Sequence, residues 1–347
     1  MPHAAAAPDD GGDMDQSTDL DHSTASRYVS TGHLPPHGEV AVLLRDAYDR
    51  FRGVTDGAVS TVYPALAEAC PDDYGLCLVS TEGRTYSAGD CDTELTLMSV
   101  AKPFVFALVA EAIGPETVRA RVGVNATGLA FNAAAAVELA PDGRTNPMVN
   151  PGAIVTTSLL PGDGEEKWSA LQTGLSAFAG RPLELDEDMY ASAAATNHTN
   201  RSLTWLLHQR GLLGCDPGLA LDLYTRQSCL RVTAADLAVM GATLADAGVN
   251  PVTRERVVGP VACHHTLAVM VTAGLYETSG DWLYDVGQPG KSGISGGIVT
   301  VSPGKGGFGA YSPRLDPSGN SVRGQLAARH LAAGLGLDLL QSAPPRW

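Results

Sequence analysis

The chain has 347 residues, 44% of them apolar and 18% charged, enough for one large domain or two closely packed ones. A formal net charge of −15, with no dense run of Lys and Arg, excludes a nucleic-acid-binding surface. No stretch approaches the roughly 18 apolar residues of a membrane span, and the start has neither a basic segment nor an apolar one, so a soluble cytoplasmic protein is expected.

Residues 1–37 carry Asp9, Asp10, Asp13, Asp15, Asp19 and Asp21 among Ser, Thr, Gly and Pro, and read as a disordered acidic tail. Order begins near Gly38, where Val40, Leu43, Leu44, Ala47 and Phe51 recur at helical spacing. Gly75–Ser80 and Arg84–Ala88 are β-prone runs around Thr81-Glu82-Gly83, the pattern of a hairpin. From Ser99 to about His265 helical periodicity dominates, over Phe104–Ile113, Trp168–Phe178, Leu203–Leu207, Ala234–Ala245 and Thr266–Leu275 at its end. Strands return at Gly297–Ser302 and Gly307–Ser312, followed by a helix with Val322, Leu326, Leu331 and Leu335 inward. This order predicts an α/β (α+β) fold whose antiparallel sheet is built from both chain ends. Its sheet part is 38–98 plus 266–347, and 99–265 is an inserted all-helical subdomain.

Cys70, Cys77, Cys91, Cys215, Cys229 and Cys263 form no C-x-x-C pair and have no His at zinc-ligand spacing, so free thiols and neither metal nor cofactor are expected. The sharpest chemical signal is Met98-Ser99-Val100-Ala101-Lys102. Residues three apart share a face of a helical turn, and Pro103 places them in the first turn, where a missing N–H is harmless. There the helix dipole favours negative charge developing on Ser99, and a buried Lys102 can take its proton. Alone, the same spacing also describes a helix cap with a solvated lysine. Lys291-Ser292-Gly293 ahead of a strand is a second element of the S-x-x-K hydrolases, bringing positive charge and backbone donors toward an acyl group. A P-loop ending at Lys291-Ser292 is excluded, because its first glycine would fall on Asp285.

With Ser87-Ala88-Gly89-Asp90, Phe131-Asn132, Asn146 to Ile154, Thr199-Asn200-Arg201, Gln227-Ser228-Cys229, Val286 to Ile298 and Ser312 to Gly324, the chain resembles the glutaminase family over nearly all of 38–340. The resemblance implies a β-lactamase/DD-peptidase-like fold and hydrolysis of L-glutamine to L-glutamate and ammonia through a Ser acyl-enzyme. It implies Ser99 as nucleophile, Lys102 as base, and Tyr224 and Tyr276 as proton relays to the leaving nitrogen. The N–H groups of Ser99 and Ile294 would hold the oxyanion, Asn150 and Asn200 would bind the amino-acid end, and Lys291 would lie with the substrate. It also implies a homodimer or homotetramer acting on a small-molecule amide, with no cofactor.

Three positions depart from the family pattern. Its glutamate for the substrate's α-ammonium is Ala193, its tyrosine before I-P is Val62, and its glutamine before the nucleophile is Met98. An unpaired desolvated ammonium costs about 3–5 kcal/mol, so glutamine binding would fall by roughly two to three orders of magnitude unless Glu184, Asp186, Glu187 or Asp188 folds back. Two alternatives therefore stand beside glutamine hydrolysis: a Ser/Lys hydrolase or acyltransferase on an amide, lactam or ester without the α-ammonium, and a non-catalytic glutaminase-like binding protein.

Overall fold

The computed structural model describes residues 33–342, so the acidic tail expected for 1–37 lies outside the described residues up to position 32. Helix α1 (His37–Phe51) turns Val40, Leu44 and Ala47 inward at three- and four-residue intervals, as the periodicity requires. Strands β1 (Gly75–Ser80) and β2 (Thr85–Gly89) form the expected hairpin. Gly83 sits in its turn at φ +85°, which a side chain would strain. β1 is buried throughout, whereas β2 alternates buried and exposed because α1 covers one of its faces.

After β3 (Leu95–Thr96) the chain enters α2 (Ala101–Ile113), α3 (Pro115–Val122), α4 (Ala135–Leu139), α5 (Asn150–Ser158), α6 (Gly164–Ala179), α7 (Glu187–Thr196), α8 (His198–Gln209) and α9 (Pro217–Ser228). Then come β4 (Arg231–Val232), α10 (Ala234–Ala245), α11 (Pro260–Ala273), α12 (Ser279–Val286), β5 (Gly290–Ser292), β6 (Gly297–Ser302), β7 (Gly306–Tyr311) and α13 (Val322–Leu335). The strand order is β2-β1-β7-β6-β5, antiparallel at every pairing, so the two chain ends meet where β1 pairs with β7.

The block 99–265 is not purely helical. β4 pairs with β3, and α10 leaves the helical lobe to lie across the sheet. The reason is steric. Strand β7 presents Gly307 and Gly309 to α10, and a Cβ at Gly309 would collide with Ala234 O and Ala238 N. The alternate residues Phe308 and Ala310 point to the other face, into a core shared with α1 and α13. Helix and strand backbones thus approach closely on one face, while large side chains fill the other. The larger core runs without a break from Cys77, Val79, Val299 and Val301 of the sheet to Phe104, Leu171 and Leu223 of the helices. Among the described residues no single helix is long and apolar enough to cross a membrane.

Candidate active site

The nucleophile candidate is held by both lobes. β3 pairs with β4, and Leu97 N donates to Leu230 O at 3.0 Å, fixing the backbone just before a short 3-10 turn, Met98–Val100, that runs into α2. Met98 takes φ +44°, a conformation costly for a side chain, which sets Ser99 on a sharp bend with its side chain half-exposed at a cavity. One turn on, Lys102 points inward and is buried.

Lys102 Nζ lies 3.2 Å from Ser99 Oγ and 2.7 Å from Asn150 Oδ1. No carboxylate contributes to its environment, and burial alone pulls its pKa from 10.5 down to about 7. Asn150, at the start of α5, accepts from Lys102 and, at 3.2 Å, from the Tyr224 hydroxyl; its Nδ2 donates to Asn200 Oδ1 at 2.8 Å. The amide oxygen can only accept, so it holds one N–H of Lys102 and leaves the lone pair of a neutral amine free to face Ser99.

Tyr224 on α9 and Tyr276, in a short 3-10 turn after α11, are both buried, and burial pushes both phenols well above their ordinary pKa. Each therefore keeps its proton at neutral pH. Tyr276, at φ +56°, donates to Ser292 O at 3.1 Å. Its ring packs on Phe131, whose N–H is held at 2.8 Å by the Glu277 carboxylate. Ile294 stands in the β5–β6 turn, half-buried. The neighbouring Gly293 brings that turn against the nucleophile: a Cβ there would lie 3.0 Å from Leu97 O and 3.5 Å from Ser99 N. Ser99 and Ile294 thus border one space.

Lys291 does not line this space. Its buried Nζ donates to Gly274 O at 2.9 Å and Ser292 O at 2.7 Å, and lies 4.4 Å over the Tyr276 ring. Burial, and after it the nearness of Lys102, lowers its pKa well below 10.5. The expected substrate contact is thus replaced by one beneath the cavity: β5 is buried, and its lysine finds carbonyls of the sheet edge before it reaches the opening.

Ser99, Asn150, Asn200, Tyr224 and Ile294 line a cavity of about 130 Å³, together with residues to which the sequence assigned no role. Tyr63 is one, its hydroxyl 3.4 Å from Asn197 Oδ1, with burial raising its pKa to about 12. Asn197, between α7 and α8, donates in turn to Thr225 Oγ1 at 3.2 Å. The sequence signal was present: Asn197 precedes Asn200 by three residues, and Tyr63 directly follows the departed position Val62. Ala193, Met98 and Val62 also line the cavity.

The four upstream carboxylates do not fold back. Asp186 caps α7 through Met189 N, Glu184 pairs with Arg231, and Glu187 borders a separate hollow beside Trp168. Neither Asp188 nor any other Asp or Glu is among the residues lining the cavity.

Comparison with known proteins identifies the family. The glutaminase family model matches residues 57–340. Glutaminase 2 of Yersinia pestis is 60% identical over 331 residues, covering 95% of this chain and 97% of its own. The glutaminase of Colwellia psychrerythraea is 44% identical over 302 residues, covering 87% and 97%. The solved structure of a probable glutaminase, ybaS, superposes with a TM-score of 0.87 at 39% identity, covering 89% of this chain and all of that one. A probable glutaminase from Bacillus subtilis, complexed with 6-diazo-5-oxo-L-norleucine, gives 0.79 at 29% identity, covering 86% and 97%. The fold is the β-lactamase-like one, and the chain is a member of the glutaminase family, whose reaction is hydrolysis of L-glutamine to L-glutamate and ammonia.

Proposed function

We propose that this glutaminase works through an acyl-enzyme on Ser99 with Lys102 as its base. The observation that carries the reading is the buried lysine: an amine 3.2 Å from a serine hydroxyl, without a carboxylate partner and with its pKa lowered to about 7, is neutral in a large share of molecules at physiological pH. Ser99 Oγ attacks the side-chain carbonyl carbon of glutamine as its proton passes to Lys102 Nζ. The C=O electrons move onto the oxygen, which the N–H groups of Ser99 and Ile294 receive. Collapse of that intermediate breaks the C–N bond, and the Lys102 proton reaches the nitrogen by way of Tyr224 or Tyr276, releasing ammonia. Water then attacks the Ser99 ester, giving up a proton to Lys102, and glutamate leaves as Ser99 regains it.

Asn150 keeps Lys102 aimed, and Asn200 with Tyr63 and Asn197 shapes the far end. Lys291 acts through the Ser292 carbonyl and the Tyr276 ring. A homodimer or homotetramer in the cytoplasm is the assembly that the family resemblance favours. The reading is tested by ammonia release from millimolar L-glutamine beside a Ser99→Ala control. Release that persists in that variant would overturn it.

A further inference from the structure

We infer that Asn320 is a positioning residue for Tyr276, an inference that rests on the reading of Tyr276 as a proton relay and names what holds it in place. Tyr276 stands at φ +56°, left-handed backbone that a bulky residue rarely takes and that persists only where the surroundings over-determine it. Its hydroxyl is held by Ser292 O. The turn that carries it, closed by Thr278 N donating to Leu275 O at 3.2 Å, has to be fixed as well.

The loop between β7 and α13, to which the acyl-enzyme chemistry gives no part, does this. It is folded by Asp316, whose carboxylate accepts from Ser318 N at 2.9 Å, Asn320 N at 3.0 Å and, on α13, Gln325 Nε2 at 2.9 Å. From this preformed loop the fully buried Asn320 donates its Nδ2 to Thr278 Oγ1 at 3.0 Å, across 42 positions of sequence. Thr278 Oγ1 gives its own proton to Leu275 O at 2.9 Å, so toward Asn320 it can only accept. Asp316 Oδ2 stands 3.5 Å from the same Nδ2, so the amide must turn its nitrogen, and not its oxygen, to this pair. Its Oδ1 is left buried with no partner among the described residues, a cost that the nitrogen's contacts have to offset. Beside it Gly319, at φ +97°, lies against the Tyr276 ring: a Cβ there would stand 3.6 Å from Cε2. One loop thus braces both the turn and the ring. A relay works only while its oxygen stays within about 2.6–3.2 Å of the groups it serves, so slack in the turn slows proton delivery without weakening substrate binding.

The test is a mutant cycle read as kcat and KM for ammonia release from L-glutamine. Asn320→Ala and Thr278→Val each remove the bond, and each should lower kcat about tenfold with KM changed by less than about twofold. Thr278→Ser keeps the hydroxyl and should stay within about twofold of the wild type. In a Tyr276→Phe background, where no hydroxyl remains to be placed, Asn320→Ala should lower kcat by less than about twofold further. The same loss in both backgrounds, or wild-type kcat in Thr278→Val, overturns the positioning role and leaves the relay standing. Wild-type kcat in Tyr276→Phe overturns the relay itself, and this inference with it. If Asn320→Ala fails to fold, Thr278→Val, which exchanges a hydroxyl for a methyl group, takes its place in the cycle.

Discussion

At the scale of the residue, Lys102, as the proposed base, should set the pH behaviour. Below about pH 7 it is an ammonium and cannot take the Ser99 proton, so kcat/KM should fall about tenfold per pH unit on the acid side of a limb near 7. Asn150→Asp places a carboxylate where the amide oxygen lies 2.7 Å from Nζ, which favours the charged amine. The limb should then move up by about 1–3 pH units, measured as kcat/KM against pH; an unmoved limb would mean that another group sets it. The same burial costs stability. Because the folded-state pKa is depressed, the protein gains stability as pH rises from about 7 toward 10.5. Lys102→Met should therefore be inactive yet more stable at pH 7, by about 1–3 kcal/mol after the lost hydrogen bonds are counted, with the gain shrinking toward pH 10. Urea unfolding at both pH values checks it. Ser99 and Lys102 were legible in the sequence because their spacing is local. Asn150's grip on Lys102 spans 48 positions and the hydroxyl contact of Tyr63 spans 134, which no spacing rule connects.

At the scale of the element, α1 and α13 were readable because each buries one face with regular periodicity, and β1 and β6 because each is a short apolar run bounded by turn residues. α5, α7 and α9 were not, although they carry or border much of the site. α5 is buried at all nine of its residues, which erases the amphipathic stripe. α9 begins with an Asp216 cap and Pro217, a start signal that a search for periodicity alone passes over. The α10–β7 contact was equally hidden, since glycines give no hydrophobic signal. It is nevertheless demanding: Gly309→Ala puts a methyl group into the α10 backbone and should cost about 3 kcal/mol or more, measured by chemical denaturation. A loss under about 1 kcal/mol would mean the helix can retreat.

At the scale of the whole molecule, we propose that 38–98 with 266–347 and the segment 99–265 are two lobes of one folding unit, supported by a core that crosses between them. Within the first lobe, Arg323 of α13 joins the two chain segments, its buried guanidinium donating to Pro71 O and Asp73 O at 2.8 Å and its Nε to Ser312 Oγ. Trp168 and Trp205 report on one lobe and Trp282 on the other, so fluorescence and far-ultraviolet circular dichroism should show one coincident unfolding transition. Two separated transitions would divide the lobes.

The cavity has a division of labour in its walls. Lys102, Asn150 and Tyr224, the groups proposed to handle the proton, stand on α2, α5 and α9 against the main core, while Val62 and Ala193 belong to a loop and to α7, within or beside a small satellite core. Changes of side chain on that outer wall leave the packing beneath Ser99 and Lys102 in place. Selectivity in this scaffold is accordingly evolvable at low risk: a lineage can exchange one amide for another by single substitutions while the reactive centre is inherited unaltered.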